Sequence, residues 1–275
     1  MRLPPIFELA NVSFDYDGIP ALQSLSLVFE PGQRVALIGA NGSGKSTLLR
    51  LLDALYFPKA GSIQYLGEPL TPERLQSDAV NLNFRRQVGL VFQNPDVQLF
   101  NPTVFDEVAF GPLQLHWPRA EVLRRVDETL DLMGILHLKE RPPHRLSSGE
   151  KKKVSLASIL VVDPQVLLLD EPTAALDPKS QSQLVDQVQG WKSTAKTVIS
   201  ATHQLELLED IADVVYVMQN GNIIASGTPA EILLNKDLLT TANLIHAHRH
   251  SHGAFVHSHA HSHGHRHDEH GEEIK

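Results

Sequence analysis

The chain has 275 residues, 42% hydrophobic and 20% charged, which excludes a disordered polymer and fits one large α/β domain or two small ones. A formal charge of −8 with neutral histidine argues against a general nucleic-acid binder, and the lack of cysteine excludes disulfides and zinc–thiolate sites. The first ten residues hold no apolar signal region, and the longest apolar run, 154–169, is broken by Asp163-Pro164, so neither a secretory leader nor a membrane span is expected.

Residues 6–14 read as a strand, with Phe7, Leu9 and Val12 apolar between polar neighbours, and Asp15-Tyr16-Asp17-Gly18 reads as a turn. Tyr16 has two readings, a ring that stacks on adenine or an exposed turn tyrosine, and its position alone favours the second. Residues 21–29 set Leu22, Leu25, Leu27 and Phe29 against Ser24 and Ser26, a strand with one buried face. Glu30-Pro31-Gly32 then turns the chain into the apolar run Val35-Ala36-Leu37-Ile38.

The stretch that follows organises the chain. Gly39-Ala40-Asn41-Gly42-Ser43-Gly44-Lys45-Ser46-Thr47 matches G-x-x-x-x-G-K-[ST] and leads into the apolar-periodic Leu48-Leu49-Arg50-Leu51-Leu52. Strand, glycine loop and helix together make the context that binds phosphate. The glycines let successive N–H groups turn inward on an anion, and the helix N-terminus adds its partial positive charge. Lys45 has the reach for the β- and γ-phosphates, and the Ser46 hydroxyl can ligate Mg²⁺. A nucleoside triphosphate is the expected ligand.

Lys59-Ala60-Gly61 reads as a turn and 63–66 as a short strand, so antiparallel strands mix with the nucleotide core. Residues 88–92 form a buried strand ending at Gln93, which is either an Mg²⁺ or water-orienting amide in a crevice or a plain loop residue. Residues 118–133 are helical, with Val122, Leu123, Val126, Leu130 and Met133 as the apolar stripe. His137 and His144 read as surface residues. Ser147-Ser148-Gly149 opens a helix, as a simple cap or as an anion site, and Lys151-Lys152-Lys153 reads as its solvated face.

The apolar run 166–169 ends in Asp170-Glu171 and suits a central parallel strand. Beside a phosphate loop, the first carboxylate can serve Mg²⁺ and the second can polarise water. Ala174-Ala175-Leu176-Asp177-Pro178 is a turn, 183–191 a helix and 197–201 a strand, just past which His203 can donate to a γ-phosphate oxygen or be merely structural. Residues 214–218 and 223–226 form a hairpin about Asn220-Gly221, and Thr228, Pro229 and Glu231 open a helix.

As a set, these motifs resemble the ATPase subunit of ABC transporters over roughly residues 6–235. Residues 39–46 match the Walker A loop, Gln93 the Q-loop, and Leu146-Ser147-Ser148-Gly149-Glu150 the LSGGQ signature. Residues 166–170 with Glu171 resemble Walker B and its catalytic glutamate, Ala175-Leu176-Asp177 the D-loop, His203 the switch histidine and Tyr16 the adenine-stacking aromatic. The resemblance implies a P-loop NTPase (RecA-like) α/β core with an antiparallel β subdomain and a helical subdomain. It also implies that two copies sandwich two ATPs. Glu171 would be the general base, with Ser46, Gln93 and Asp170 at Mg²⁺, directly or through water. Lys45 and His203 would contact the γ-phosphate, and Ser147 and Gly149 would reach it across the dimer. Asn41, Gly42, Ser43, Gly44 and Thr47 complete the expected nucleotide-binding set. Ser148 and Glu150 depart from the usual glycine and glutamine, while both Walker motifs are intact, so hydrolysis is still expected.

Residues 91–100 and 108–112 are similar, more narrowly, to the ATPases of energy-coupling-factor importers, which take up vitamins or nickel and cobalt ions. That likeness implies integral membrane coupling and substrate-binding partners docked after the Q-loop, at the cytoplasmic face of a prokaryotic membrane. A soluble ABC ATPase acting on DNA or ribosomes is the reading from another class, and one phosphate loop without a heptad run counts against it. A metal-storage module with a degenerate ATPase is a third, supported only by the two signature departures.

The expected division is an ATPase domain over 1–240, with a helical subdomain near 95–160, and a histidine-rich tail over 241–275. Eleven of the 25 residues from His246 to His270 are histidine, a composition that cannot bury a core and is expected to be disordered without metal. His246, His248, His250 and His252 alternate with other residues, as do His257, His259, His261, His263, His265 and His267. Neutral imidazoles suit Ni²⁺, Co²⁺, Zn²⁺ and Cu²⁺, nickel more tightly than cobalt. An expression tag and a merely solvated tail are the other readings of this composition.

Overall fold

The computed structural model describes residues 4–252 and 255–262. The chain opens with strands β1 (Phe7–Tyr16), β2 (Ile19–Phe29) and β3 (Arg34–Ile38) and helix α1 (Lys45–Leu52). Strands β4 (Ala60–Tyr65) and β5 (Glu68–Pro69), helices α2 (Pro72–Leu75) and α3 (Asp78–Gln87) and strand β6 (Val88–Val91) follow. Next come α4 (Val104–Gln114), α5 (Arg119–Leu132), α6 (Ser148–Leu160), β7 (Val166–Asp170), α7 (Pro178–Gly190) and β8 (Thr197–Ala201). The described chain closes with α8 (Leu208–Ile211), β9 (Val214–Gln219), β10 (Asn222–Gly227), α9 (Pro229–Leu234), α10 (Lys236–Thr241), β11 (Ile245–His252) and β12 (Phe255–Ser262).

The central sheet runs β10-β9-β3-β8-β7-β6, parallel except where β10 turns back on β9, and a separate antiparallel sheet runs β2-β1-β4-β5. The central strands are buried on both faces, as their unbroken apolar runs require. In β3, Ala36 and Ile38 face the helices α4 to α7, while Val35 and Leu37 face α1 and the antiparallel sheet. β7 divides likewise, Leu167 and Leu169 one way and Val166 and Leu168 the other. The α/β core, the antiparallel sheet and the helical layer are the parts the resemblance implies. Among the described residues no helix is long and apolar enough to cross a membrane.

Local chemistry explains the ends that match. Asn220 and Gly221 both take positive φ (50° and 76°), as the tight β9–β10 turn needs. Thr228 caps α9 in a capping box with Glu231. Other ends differ. The expected turn at 59–61 is already the start of β4, and α7 starts at Pro178, capped by Asp177, five residues before the expected 183. Helix α4 is not signalled by the sequence, because Gly111 and Pro112 interrupt it. Tertiary contacts hold it regardless: Thr103 caps it, and the buried Glu107 carboxylate accepts the Phe100 and Asn101 N–H groups at 2.8 Å each.

In the tail, β11 and β12 form a two-stranded antiparallel sheet among the described residues, with His246 opposite His261, His248 opposite His259 and His250 opposite His257. The composition predicts no fixed structure here without metal; the period-two alternation of histidine is also a strand pattern, and the backbone follows it. Ile245 itself is buried in the core of the domain. His263, His265 and His267 lie outside the described residues, as do the side chains of the other tail histidines.

Candidate functional site

The parallel strands deliver the predicted residues to one edge. The glycine loop leaves the C-terminal end of β3, Gln93 that of β6, Asp170 and Glu171 that of β7, and His203 that of β8. This is the edge at which open parallel sheets bind ligands. A cavity of about 480 Å³ opens there, walled by residues 41–47, Tyr16, Gln93, Asp170 and Glu171. Ile19, Pro20 and Ala21 also wall it, which the sequence did not signal: the expected strand begins at Ala21, and nothing in the pattern marks Ile19 or Pro20.

Helix α1 carries no side-chain cap, so its first N–H groups face the loop without an intrahelical partner. The Lys45 side chain folds back into the loop and is buried. Its Nζ donates to Gly39 O at 2.7 Å, Ala40 O at 3.0 Å and Ser43 Oγ at 3.4 Å. Burial pushes its ammonium below the ordinary lysine range, while the Glu171 and Asp170 carboxylates pull it back up. Ser46 Oγ donates to Asp170 Oδ1 at 3.0 Å. Burial pushes the Asp170 carboxyl up, and the Ser46 hydrogen bond opposes it.

Gly44 takes φ +105°, and a Cβ there would lie 2.7 Å from Ala21 O and 2.8 Å from Leu22 Cδ2. The loop is braced on the same side by the β9–β10 turn. Gly221 N–H donates to Ser43 O at 3.0 Å, while Gln23 binds the carbonyls of Asn220 and Gly221. Gly44→Ala is therefore expected to destabilise the fold by about 2–4 kcal/mol, from the strained backbone plus the overlap. A lowered urea midpoint at unchanged m-value checks this.

Glu171 sits at φ +46°, an uncommon conformation for a side chain of its size, and its N–H donates to Ala201 O at 2.9 Å. The residue is 5% exposed. Its Oε1 lies 2.9 Å from Nδ1 of the half-exposed His203, whereas Oε2 is buried without a hydrogen-bond partner. A buried unpartnered carboxylate oxygen at a cavity wall is placed to accept a proton or bind a hydrated group.

Tyr16 lies at the cavity mouth, at the end of β1 rather than in the turn, which is Asp17-Gly18. Its ring is edge-on to Phe14 and Tyr56, and its hydroxyl pairs with Thr47 Oγ1 at 3.3 Å. Ser147 and Gly149 stand outside the cavity at the start of α6. Ser147 caps the helix in a capping box: its N–H and Oγ both bond Glu150 Oε2 at 2.8 Å. Glu150 thus fills at N3 the place glutamine fills in such boxes. Those bonds hold its carboxyl below the usual range. Ser148 is the first helical residue and is exposed, so this subunit accommodates its side chain without conflict.

The lysine run splits, and the solvated face expected for Lys152 is corrected. Lys151 pairs with Asp96 at 2.7 Å, but Lys152 is fully buried and points at the sheet. Burial lowers its ammonium to about 8. A hydroxyl and a carboxylate at 3.0 Å are the hard oxygen donors that Mg²⁺ takes, with phosphate and water completing the shell. Among the described residues no group of three or more His, Asp or Glu is arranged to hold a metal by itself.

Comparison with known proteins gives a consistent result. The family model described as ABC transporter matches residues 22–174. A nickel import ATP-binding protein of Rhodobacter capsulatus is 52% identical over 246 residues, which is 88% of this chain and 97% of that protein. An energy-coupling factor transporter ATP-binding protein of Methanoculleus marisnigri is 43% identical over 87% of this chain and 85% of its own length. Among solved structures, a subunit from Clostridium perfringens that is part of the cbiONQ ABC transporter complex superposes with a TM-score of 0.71. It is 37% identical, covering 88% of this chain and 95% of that one.

Proposed function

The chain belongs to the ABC transporter ATPase family, which binds ATP with Mg²⁺ and hydrolyses it to drive transport, and from that premise we propose that it powers import of nickel or cobalt ions. The transporter would be of the energy-coupling-factor type. The observation that carries the hydrolytic reading is the buried carboxylate of Glu171, one oxygen on His203 and the other unpartnered beside Lys45 and the Ser46–Asp170 pair. The metal reading is supported by the likeness to a nickel import protein and by the histidine-rich tail.

The roles follow from the chemistry of each group. Tyr16 stacks the adenine at the cavity mouth. Lys45 exchanges the carbonyls of Gly39 and Ala40 for β- and γ-phosphate oxygens, joined by the N–H groups of residues 41–47. Ser46 and Asp170, with Gln93 directly or through water, hold Mg²⁺, which when bound neutralises charge on the phosphate oxygens. Glu171 takes the proton of the attacking water on Oε2, and His203 orients that carboxylate while reaching the γ-phosphate.

ABC ATPases work as dimers with membrane subunits. In this reading the partner is a second copy of the chain, whose Ser147 and Gly149 reach the γ-phosphate, the Ser147 hydroxyl leaving Glu150 to do so. Val97 and Phe100 are 67% and 68% exposed, and Phe100 stacks edge-on to the part-exposed Phe110 on α4. That apolar face after Gln93 suits docking of an integral membrane partner at the cytoplasmic side, and no nucleic-acid partner is proposed. The ATPase domain, expected over 1–240, extends to Ile245 in its core, with the helical subdomain about 95–160, and the tail beyond Ile245 buffers or delivers metal.

Ni²⁺ and Co²⁺ accumulation in cells expressing the whole transport system tests this. Glu171→Gln is expected to abolish uptake of at least one of the two metals. A chain ending at Ile245, which keeps the last core residue, then shows whether the tail delivers metal or only stores it. Uptake of both metals unchanged by Glu171→Gln would sink the metal assignment and make vitamin uptake the next assay.

A further inference from the structure

Lys152 is fully buried and lies outside the cavity wall, yet its ammonium group is aimed at the elements that build the site. Nζ donates to Phe92 O at 2.9 Å, Gln93 O at 3.3 Å and Asp170 O at 3.4 Å. Three ammonium donors thus meet three main-chain carbonyls, two just past β6 and one at the end of β7. The carbonyl of Asp170 belongs to the peptide that joins Asp170 to Glu171. The other end of that peptide, the Glu171 N–H, donates to Ala201 O at 2.9 Å. The peptide is therefore pinned from both sides, immediately before a residue held at φ +46°. A conformation of that kind persists only where its surroundings fix it.

The ammonium is not needed to attach α6. The Gln98 side chain bonds Phe92 N–H, Ser155 O, Ser155 Oγ and Ser158 Oγ, all at 2.7–3.2 Å, and Lys151 pairs with Asp96. A desolvated cation also costs stability relative to an apolar side chain of similar length. Lys152 is thus a poor choice for packing and a good one for fixing backbone.

We infer that Lys152 is a positioning residue, whose ammonium group locks the Asp170–Glu171 peptide and the turn at Gln93 into one arrangement and so sets the Glu171 carboxylate on the cavity. The inference rests on the proposed role of Glu171, and it joins the start of the signature helix to the hydrolytic centre of the same subunit.

Lys152→Met and Lys152→Gln in the full chain are the test, read by steady-state ATP hydrolysis, nucleotide affinity and thermal unfolding. Both are expected to stay folded with KM for ATP within about threefold of wild type. Both should lose kcat by about ten- to a hundredfold, the size expected of a displaced catalytic group. Lys152→Arg, which retains donors, should recover part of that loss. A folded Met or Gln variant with kcat within threefold of wild type overturns the inference, as does one whose KM rises as much as its kcat falls. Glu171→Gln is measured alongside. If it is inactive while Lys152→Met is active, the inference fails alone; if it turns over normally, the Glu171 reading fails and takes the inference with it.

Discussion

Replacing Glu171 by glutamine is expected to lower kcat for ATP hydrolysis by about a thousandfold, within the 10²–10⁴ that a positioned general base contributes. Glutamine keeps the volume of the buried site and can still bond His203, but its amide cannot take a proton from water. ATP affinity should stay within about threefold, because the loop, Lys45 and the Ser46–Asp170 pair are untouched. With turnover blocked, ATP should also accumulate a dimer of the variant, read by light scattering after gel filtration. A variant hydrolysing ATP within tenfold of wild type would remove Glu171 from the role of base.

Lys45→Met is expected to weaken ATP binding by roughly a hundredfold or more, read by a fluorescent ATP analogue. The change removes the one lysine folded into the loop, and charge-assisted bonds to phosphate are worth about 1.5–3 kcal/mol each. Stability without nucleotide should change by no more than about 1 kcal/mol. In that state Lys45 is a buried cation bonded only to Gly39 O, Ala40 O and Ser43 Oγ, so the bonds lost are offset by the desolvation relieved. Equal loss of stability and affinity would mean that Lys45 holds the loop together rather than binding phosphate.

These two effects were legible because the chemistry is local. A strand, a glycine loop and a capless helix lie within residues 34–52, and the apolar run into Asp170-Glu171 needs no other segment to be recognised. Asn220-Gly221 and Thr228 with Glu231 signal their turn and cap within a few residues for the same reason. The missing parts are non-local. Lys152 stands in a run of three lysines that reads as solvated, and only β6 and β7, brought beside α6 by the fold, turn it inward. Helix α4 contradicts its own propensity at Gly111-Pro112 and survives on contacts with α5, α6 and the 100–101 backbone. The contact between Glu171 and His203 joins the ends of two strands, and nothing within either strand announces it. Glu150 reads as a departure from a motif, yet in the helix it is an ordinary N3 cap residue.

The brace on the phosphate loop bears on how the protein is made. β3 is flanked in the sheet by β8 and β9, and Ser43 is held by Gly221, so these supports of the loop are encoded far downstream of it, while Ala21 and Leu22, which pack on Gly44, precede it. A ribosome emits the loop early and its supports late. The nascent chain is therefore expected to lack the complete nucleotide site until synthesis has passed Gly221. ATP then meets a chain whose helical layer already exists, and shortened translation products are left without a nucleotide to stabilise them against proteases.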